Sequence, residues 1–469
     1  MLKESTSRWR AWVVVALVFL FMLINFADKA VIGLAAVPMM RDLGLTPEQL
    51  GLVGSSFFVL FSISGIVFGF IANRVKTKWL LAILSIVWAA VQFPLVGAVS
   101  FPLLIACRVL LGAGEGPAYA LAIHATYKWF DNSRRNIPTA IVQQGANMGM
   151  LVAGPCLTWL MIHYDWHAAF LALGVVGAIW TTLWLLFGAE GTVDESSQQD
   201  VADASPRSAS TSAPAPAPAR VNARLPVRVP YRALMCDPTL VGIFLLSFAG
   251  FLVLSLCFTW FPAYLRLGLG YSATDAGWLF SVIVGAAIPA SLVMSWFSQY
   301  LFGKGVSSRA SRGFVTSGAI ALTALAFLCT TTDISAPLKI VCLTLGAGFG
   351  QLIFLFGPLM IGEVTPPAQR GAWLAINNSV ATLAGFVAPA LMGRFVGAAH
   401  SRAAGFEHGF LLLGSVLVVA SVAAFWLIHP ERSMRRLSGA AAFAALGDSR
   451  ERSDIHQPAC LPDEATGAG

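Results

Sequence analysis

Apolar residues along this chain do not alternate with polar ones; they run. Mostly apolar stretches occupy 11–33, 50–72, 79–98, 102–127, 138–160, 168–187, 239–262, 276–298, 313–331, 336–361, 372–396 and 407–428. A helix needs about 20 such residues to cross the hydrocarbon core of a bilayer. Strands of a membrane barrel alternate over about 10 residues instead. The pattern therefore predicts an all-α polytopic membrane protein with twelve spans and excludes a barrel. The first run is too long for the apolar part of a signal peptide, carries Asp28 and lacks a small-residue cleavage site. It is expected to stay as a span.

The pattern breaks once, near the middle. Residues 191–232 turn polar and repetitive, with Ala213–Arg220 reading APAPAPAR. Such a stretch cannot bury a core, so a disordered cytoplasmic linker is expected there. Residues 431–469 read as a similar tail. This leaves two lobes of six spans each, 1–190 and 233–430. The lobes echo one another. Arg135 precedes Pro155 by twenty residues in the fifth span, and Arg370 precedes Pro389 by nineteen in the eleventh. Two six-helix halves in the same orientation form the parallel-repeat plan of carriers that rock around a midplane site.

Composition agrees. The chain is 57% hydrophobic and only 11% charged, whereas a soluble domain carries about 25% charged residues. The net charge of +7 does not point to nucleic acid, because of where the cations fall. Of 30 Lys and Arg, 23 lie in the stretches that share a side with the termini, five lie on the other side and two lie within spans. Basic loops stay in the cytosol. Both termini are thus expected inside, in a bacterial inner membrane. The seven cysteines form no CxxC or Cys/His spacing, so no metal and no disulfide are expected.

Two spans contain charges they can ill tolerate. The first reads Asn25-Phe-Ala-Asp28-Lys29, and the fourth reads Arg108-Val-Leu-Leu-Gly112-Ala-Gly114-Glu115-Gly116-Pro117. A charge at mid-bilayer costs about 2.5–3.5 kcal/mol on insertion scales. Positions i, i+4 and i+7 share a helix face. Arg108, Gly112 and Glu115 therefore point one way, with the charges about 10 Å apart along the axis. Asn25 and Asp28 share a face of the first span, and Lys29 is turned about 100° from Asp28. Two readings stand side by side: an interhelical ion-pair network that fixes packing, or a site. A carboxyl withdrawn from water favours its protonated form, which is what a proton-coupled carrier needs. The glycines of the fourth span lack the following Lys-Ser/Thr of a phosphate loop.

Other polar positions are weaker signals. Gln143, Gln144, Asn147, Gln351, Asn377, Asn378 and Ser379 could bind a hydroxylated ligand or join helices. Tyr119 and Trp260 could border a cavity or simply pack. His124, His163 and His167 lack metal spacing, and Glu363 is expected to pair with Arg370.

At these residues the chain resembles the anion:cation symporter branch of the major facilitator superfamily. The likeness spans residues 10–430 and rests on NFADKA, CRVLLGAGEGPAYA, TWFPAYL and GEVTPPAQRGAWLAINN. The resemblance implies a carrier of small organic anions, such as sugar acids or aromatic acids, commonly moved with protons. It implies proton coupling at Asp28 and Glu115, and substrate contact at Arg108 and Lys29. Three departures stand out. Lys29 replaces the usual Arg and lacks its bidentate fork. Asn73 and Lys76 replace the acid and the glycine of the loop after the second span. Trp166-His167 replaces Trp-Arg.

The resulting expectation is a monomeric carrier that imports an organic anion with protons by alternating access. Asp28 and Glu115 handle protons. Arg108, Lys29, Asn25, Tyr119, Gln144, Asn147, Trp260 and Asn378 are the candidate substrate contacts. No cofactor and no nucleic-acid partner are expected. A drug exporter of the same fold is the rival, but a lipophilic substrate does not need two buried cations. A non-transporting sensor would need a signalling domain that neither linker nor tail can form. No nucleophile–base pair suggests an enzyme.

Overall fold

The computed structural model describes residues 2–72, 74–130, 134–191 and 229–437. Asn73, most of the expected linker and the tail after Leu437 lie outside the described residues. The twelve spans fall in two groups of six. Spans 1–6 are Trp9–Leu34, Pro47–Ile71, Thr77–Val96, Phe101–Tyr127, Ile137–His163 and Trp166–Phe187. Spans 7–12 are Pro238–Thr259, Ala273–Gly303, Arg309–Thr330, Ala336–Val364, Gln369–Ala398 and Arg402–Leu427. Every predicted end lies within five residues of the observed one. Helices start earlier than hydropathy suggests because polar caps begin them. Thr46 and Gln49 form a reciprocal capping box at span 2. Ser100, Asp165, Asp237, Ser272 and Ser401 also accept from backbone N–H groups of the first turn.

Small residues let the helices of each lobe touch backbone to backbone. A Cβ on Gly112 of span 4 would fall 1.8 Å from the Phe57 carbonyl oxygen of span 2. One on Gly149 of span 5 would fall 2.2 Å from that of Leu23 in span 1. Span 4 breaks after Glu115, at Gly116 and Pro117, and resumes at Ala118. Proline has no N–H to continue the ladder.

The same device joins the lobes, but on one face only. A Cβ on Gly33 would lie 2.2 Å from the Phe258 carbonyl oxygen, and one on Gly51 2.5 Å from that of Pro389. A Cβ on Gly154 of span 5 would lie 2.3 Å from the Gly277 carbonyl oxygen of span 8. All three contacts lie in the half of the molecule remote from the termini. A hydrogen bond between the Ser62 and Thr382 hydroxyls marks the lower end of the span 2–span 11 seam. Nearer the termini, Cβ atoms on Gly69 and Gly371 would meet nothing within 4 Å. The lobes are sealed on the face away from the termini and parted on the terminus-bearing face.

On that parted face each lobe caps its own third helix. Glu190, just past span 6, accepts from the N–H groups of Thr77 (3.1 Å) and Lys78 (2.9 Å) and pairs with Lys128. Glu431, just past span 12, accepts from the Arg309 N–H at 3.2 Å. Glu363 departs from expectation. It pairs with Arg312 and Ser308, while Arg370 turns back to donate to the Gly362 carbonyl at 2.6 Å. Burial alone would raise the Glu190 carboxyl, but the Lys128 ammonium and two backbone donors outweigh it and hold the group below the ordinary carboxylate range.

Gly112→Val is expected to lower stability by about 3 kcal/mol or more, because backbone cannot yield to the new atoms. Gly371→Val should change it by less than about 0.5 kcal/mol; thermal unfolding of the purified variants tests the pair. The Glu190 clamp contributes stability above the ordinary carboxylate value and loses it as pH falls through the depressed one. Melting curves of the natural protein and Glu190→Gln should therefore differ at neutral pH and converge below about pH 4.

Candidate functional site

The four intramembrane charges come together in the first lobe. Asp28, Lys29, Arg108 and Glu115 are 0%, 7%, 2% and 1% exposed. Lys29 turns inward and its ammonium lies 2.7 Å from Glu115 Oε2. It also donates to the Asn25 side-chain oxygen, one helical turn back. Asp28 Oδ1 accepts from Gln92 Nε2 at 3.1 Å, and Oδ2 has no hydrogen-bond partner. The Arg108 guanidinium lies over the Phe57 ring, 4.9 Å from its centroid, and feels both carboxylates. Its Nε and Nη1 are buried without a hydrogen-bond acceptor. One cation is thus matched to one acid at contact distance, while the other keeps donor capacity in reserve.

Local sequence explains the arrangement. Gly112 brings span 2 against span 4 and so seats Phe57 and Phe61 beside the charges. The Lys29 ammonium lies 4.5 Å from the centroid of Phe26 and 5.8 Å from that of Phe61. Such cation–π contacts strengthen when water is excluded. The break after Glu115 ends the first segment of span 4 at that residue.

The remaining candidates scatter. Asn147 donates to Gln144 at 3.1 Å, so the two partly satisfy each other. Tyr119 is 47% exposed. Asn378 is exposed on span 11, one helical turn from Thr382. Asn377 is buried and its Oδ1 has no partner. Trp260 is not on an open surface: it is fully buried and its indole N–H donates to the Pro389 carbonyl at 3.0 Å, within the seam. Sequence reasoning missed Gln92, although a lone amide in the apolar run TKWLLAILSIVWAAVQ was a signal. His163 stacks on Trp159, and His167 lies beside Asp165. Among the described residues no three His, Cys, Asp or Glu side chains cluster as a metal site.

The sequence profile of the Major Facilitator Superfamily matches residues 18–360. The chain belongs to that superfamily. It is a multi-pass membrane transporter and not an enzyme. Among its relatives, the probable galactarate/D-glucarate transporter GudP of Bacillus subtilis is 24% identical over 91% of this chain and 93% of its own. The hexuronate transporter of the same organism is 26% identical, over 89% and 94%. The D-galactonate transporter of an Escherichia coli O6:H1 strain is 24% identical, over 89% and 96%. Two solved structures share the fold. An inward-facing, unoccupied bacterial homologue of the human lysosomal transporter Spinster superposes with a TM-score of 0.69 at 15% identity, covering 91% of this chain and 98% of its own. A D-xylose–proton symporter does so with a TM-score of 0.68 at 15% identity, covering 90% and 98%.

Removing one partner of a buried ion pair strands the other charge, at a cost of about 3–5 kcal/mol. Lys29→Met should destabilise this superfamily member by that order, and the double variant Lys29→Met/Glu115→Gln should recover most of the loss. A thermal-unfolding double-mutant cycle measures both.

Proposed function

We propose that the protein is a secondary active transporter that imports a small organic acid together with protons. The observation that carries this reading is the Lys29–Glu115 contact beside an Arg108 with uncommitted donors. A transported carboxylate needs cations to receive it, and a guanidinium with free N–H groups suits one. The superfamily relatives support the substrate class, since three of them are named for sugar acids.

The cycle follows from charge balance. Protonation of Glu115 breaks its pair with Lys29 and leaves that ammonium without a counter-ion. The substrate carboxylate then pairs with Arg108 and Lys29, while Asp28, held by Gln92, takes or keeps a second proton. A site whose charges are matched crosses the occluded state at lower cost than one with a bare charge. Release of the proton and the acid on the parted side restores the Lys29–Glu115 pair. The basic loops support a cytosolic, terminus-bearing face in a bacterial cell. The parted arrangement is then the inward-facing state of a carrier that works as a monomer in the inner membrane. Asn25, Gln144, Asn147, Tyr119 and Asn378 are the remaining polar contacts available to the substrate, and Trp260 acts through the seam.

In proteoliposomes, Glu115→Gln should retain exchange of labelled substrate but lose accumulation driven by a pH gradient. Arg108→Ala should lose both. Undiminished gradient-driven accumulation by Glu115→Gln would sink the proton-coupling assignment.

A further inference from the structure

The surroundings of the ion pair are aromatic, and they come from both lobes. In the first lobe Phe26 and Phe61 flank the Lys29 ammonium, and Phe57 lies under Arg108. Phe58 packs on Phe57 and Phe61, with centroids 5.0 and 5.9 Å apart. Across the gap, Phe58 meets Phe251 of span 7 edge-on at 5.6 Å, and Phe251 meets Phe354 of span 10 at 6.0 Å. Phe26 faces Phe258 at 6.3 Å. These rings lie at the depth of the ion pair, where the lobes meet, and Phe58 packs against Gly385 of span 11. Phe26, Phe61 and Phe354 are only partly buried, whereas Phe58, Phe251 and Phe258 are buried.

A hydroxylated acid needs a partner for each hydroxyl it takes out of water; amides such as Asn147 and Asn378 can serve some, but the ring surfaces of this wall serve none. A ring needs edge and face contacts, and phenylalanines provide both. We infer that the second lobe receives an apolar, aromatic body, so that the carried acid is an aromatic carboxylate rather than a polyhydroxylated one. The inference rests on the reading of Arg108 and Lys29 as the carboxylate's partners. Phe251 is the specificity-determining residue, because it alone among these rings touches both a first-lobe ring and Phe354.

Calorimetric titration of the purified full-length protein with benzoate, D-gluconate and benzamide separates the possibilities. Benzoate should bind, D-gluconate should bind at least about tenfold more weakly, and Arg108→Ala should abolish benzoate binding. Phe251→Leu keeps apolar volume but loses the ring, and should weaken benzoate about tenfold in a protein that its melting curve shows to be folded. Phe251→Ser should narrow the preference further. Binding of D-gluconate but not benzoate overturns the aromatic assignment and leaves the carboxylate reading standing. Binding of benzamide as tightly as benzoate, unaffected by Arg108→Ala, overturns both. Binding of none of the three overturns the aromatic assignment.

Discussion

The pairing of Lys29 with Glu115 governs how the first lobe is built. Charges at mid-membrane must be matched where they stand, since no water is there to screen them. Matching them requires spans 1 and 4 to face one another at a fixed depth, and the rest follows from that depth. Gly112 lets span 2 approach, span 4 breaks immediately after Glu115, and Gln92 reaches in from span 3 to hold Asp28. Among the described residues the second lobe has no counterpart at this level. Its buried acidic and basic side chains there, Asp237 and Lys339, sit near span ends and are engaged by Ser433 and Glu407. One lobe carries the charge and the other presents a neutral wall.

That division suits a two-sided carrier. The lobes meet along glycines and small residues on the face away from the termini, where backbone packs directly on backbone. Such a seam excludes water by close packing, with hydroxyl hydrogen bonds at Ser55, Ser62 and Ser281 to be exchanged at each opening. On the other face the helices diverge, and the aromatic rings at the closed end mark where the two environments are divided.

Much of this was legible in the chain. Twelve spans could be read from hydropathy, because a bilayer imposes length and apolarity on every crossing. The quartet could be read too, because four charges in apolar runs are costly enough to demand an explanation. Pairing was not legible. Face arithmetic placed Arg108 and Glu115 on one side of span 4, yet the acid's contact partner is Lys29 of another helix. Helical spacing carries no information on which neighbour lies opposite. Gln92 was overlooked for the same reason: one amide in an apolar helix matters only when its partner is known. Trp260 could border a cavity or simply pack, and its indole N–H goes to the Pro389 carbonyl in the seam, a partner that the sequence gives no hint of. Glu363 chose Arg312 over Arg370, although Arg370 is the nearer in sequence.

The acids just past spans 6 and 12 have a consequence for the chain as a whole. Glu190 returns to the start of span 3 and Glu431 to the start of span 9, so each bundle is stitched shut by its own last segment. On the far side of the connection, both backbone groups of Val229 are held by the Gln369 side chain. Among the described residues neither bundle takes its capping acid from the other. In engineering terms the described chain is modular: on either side of the stretch between Gly191 and Val229 stands a bundle closed by its own last segment.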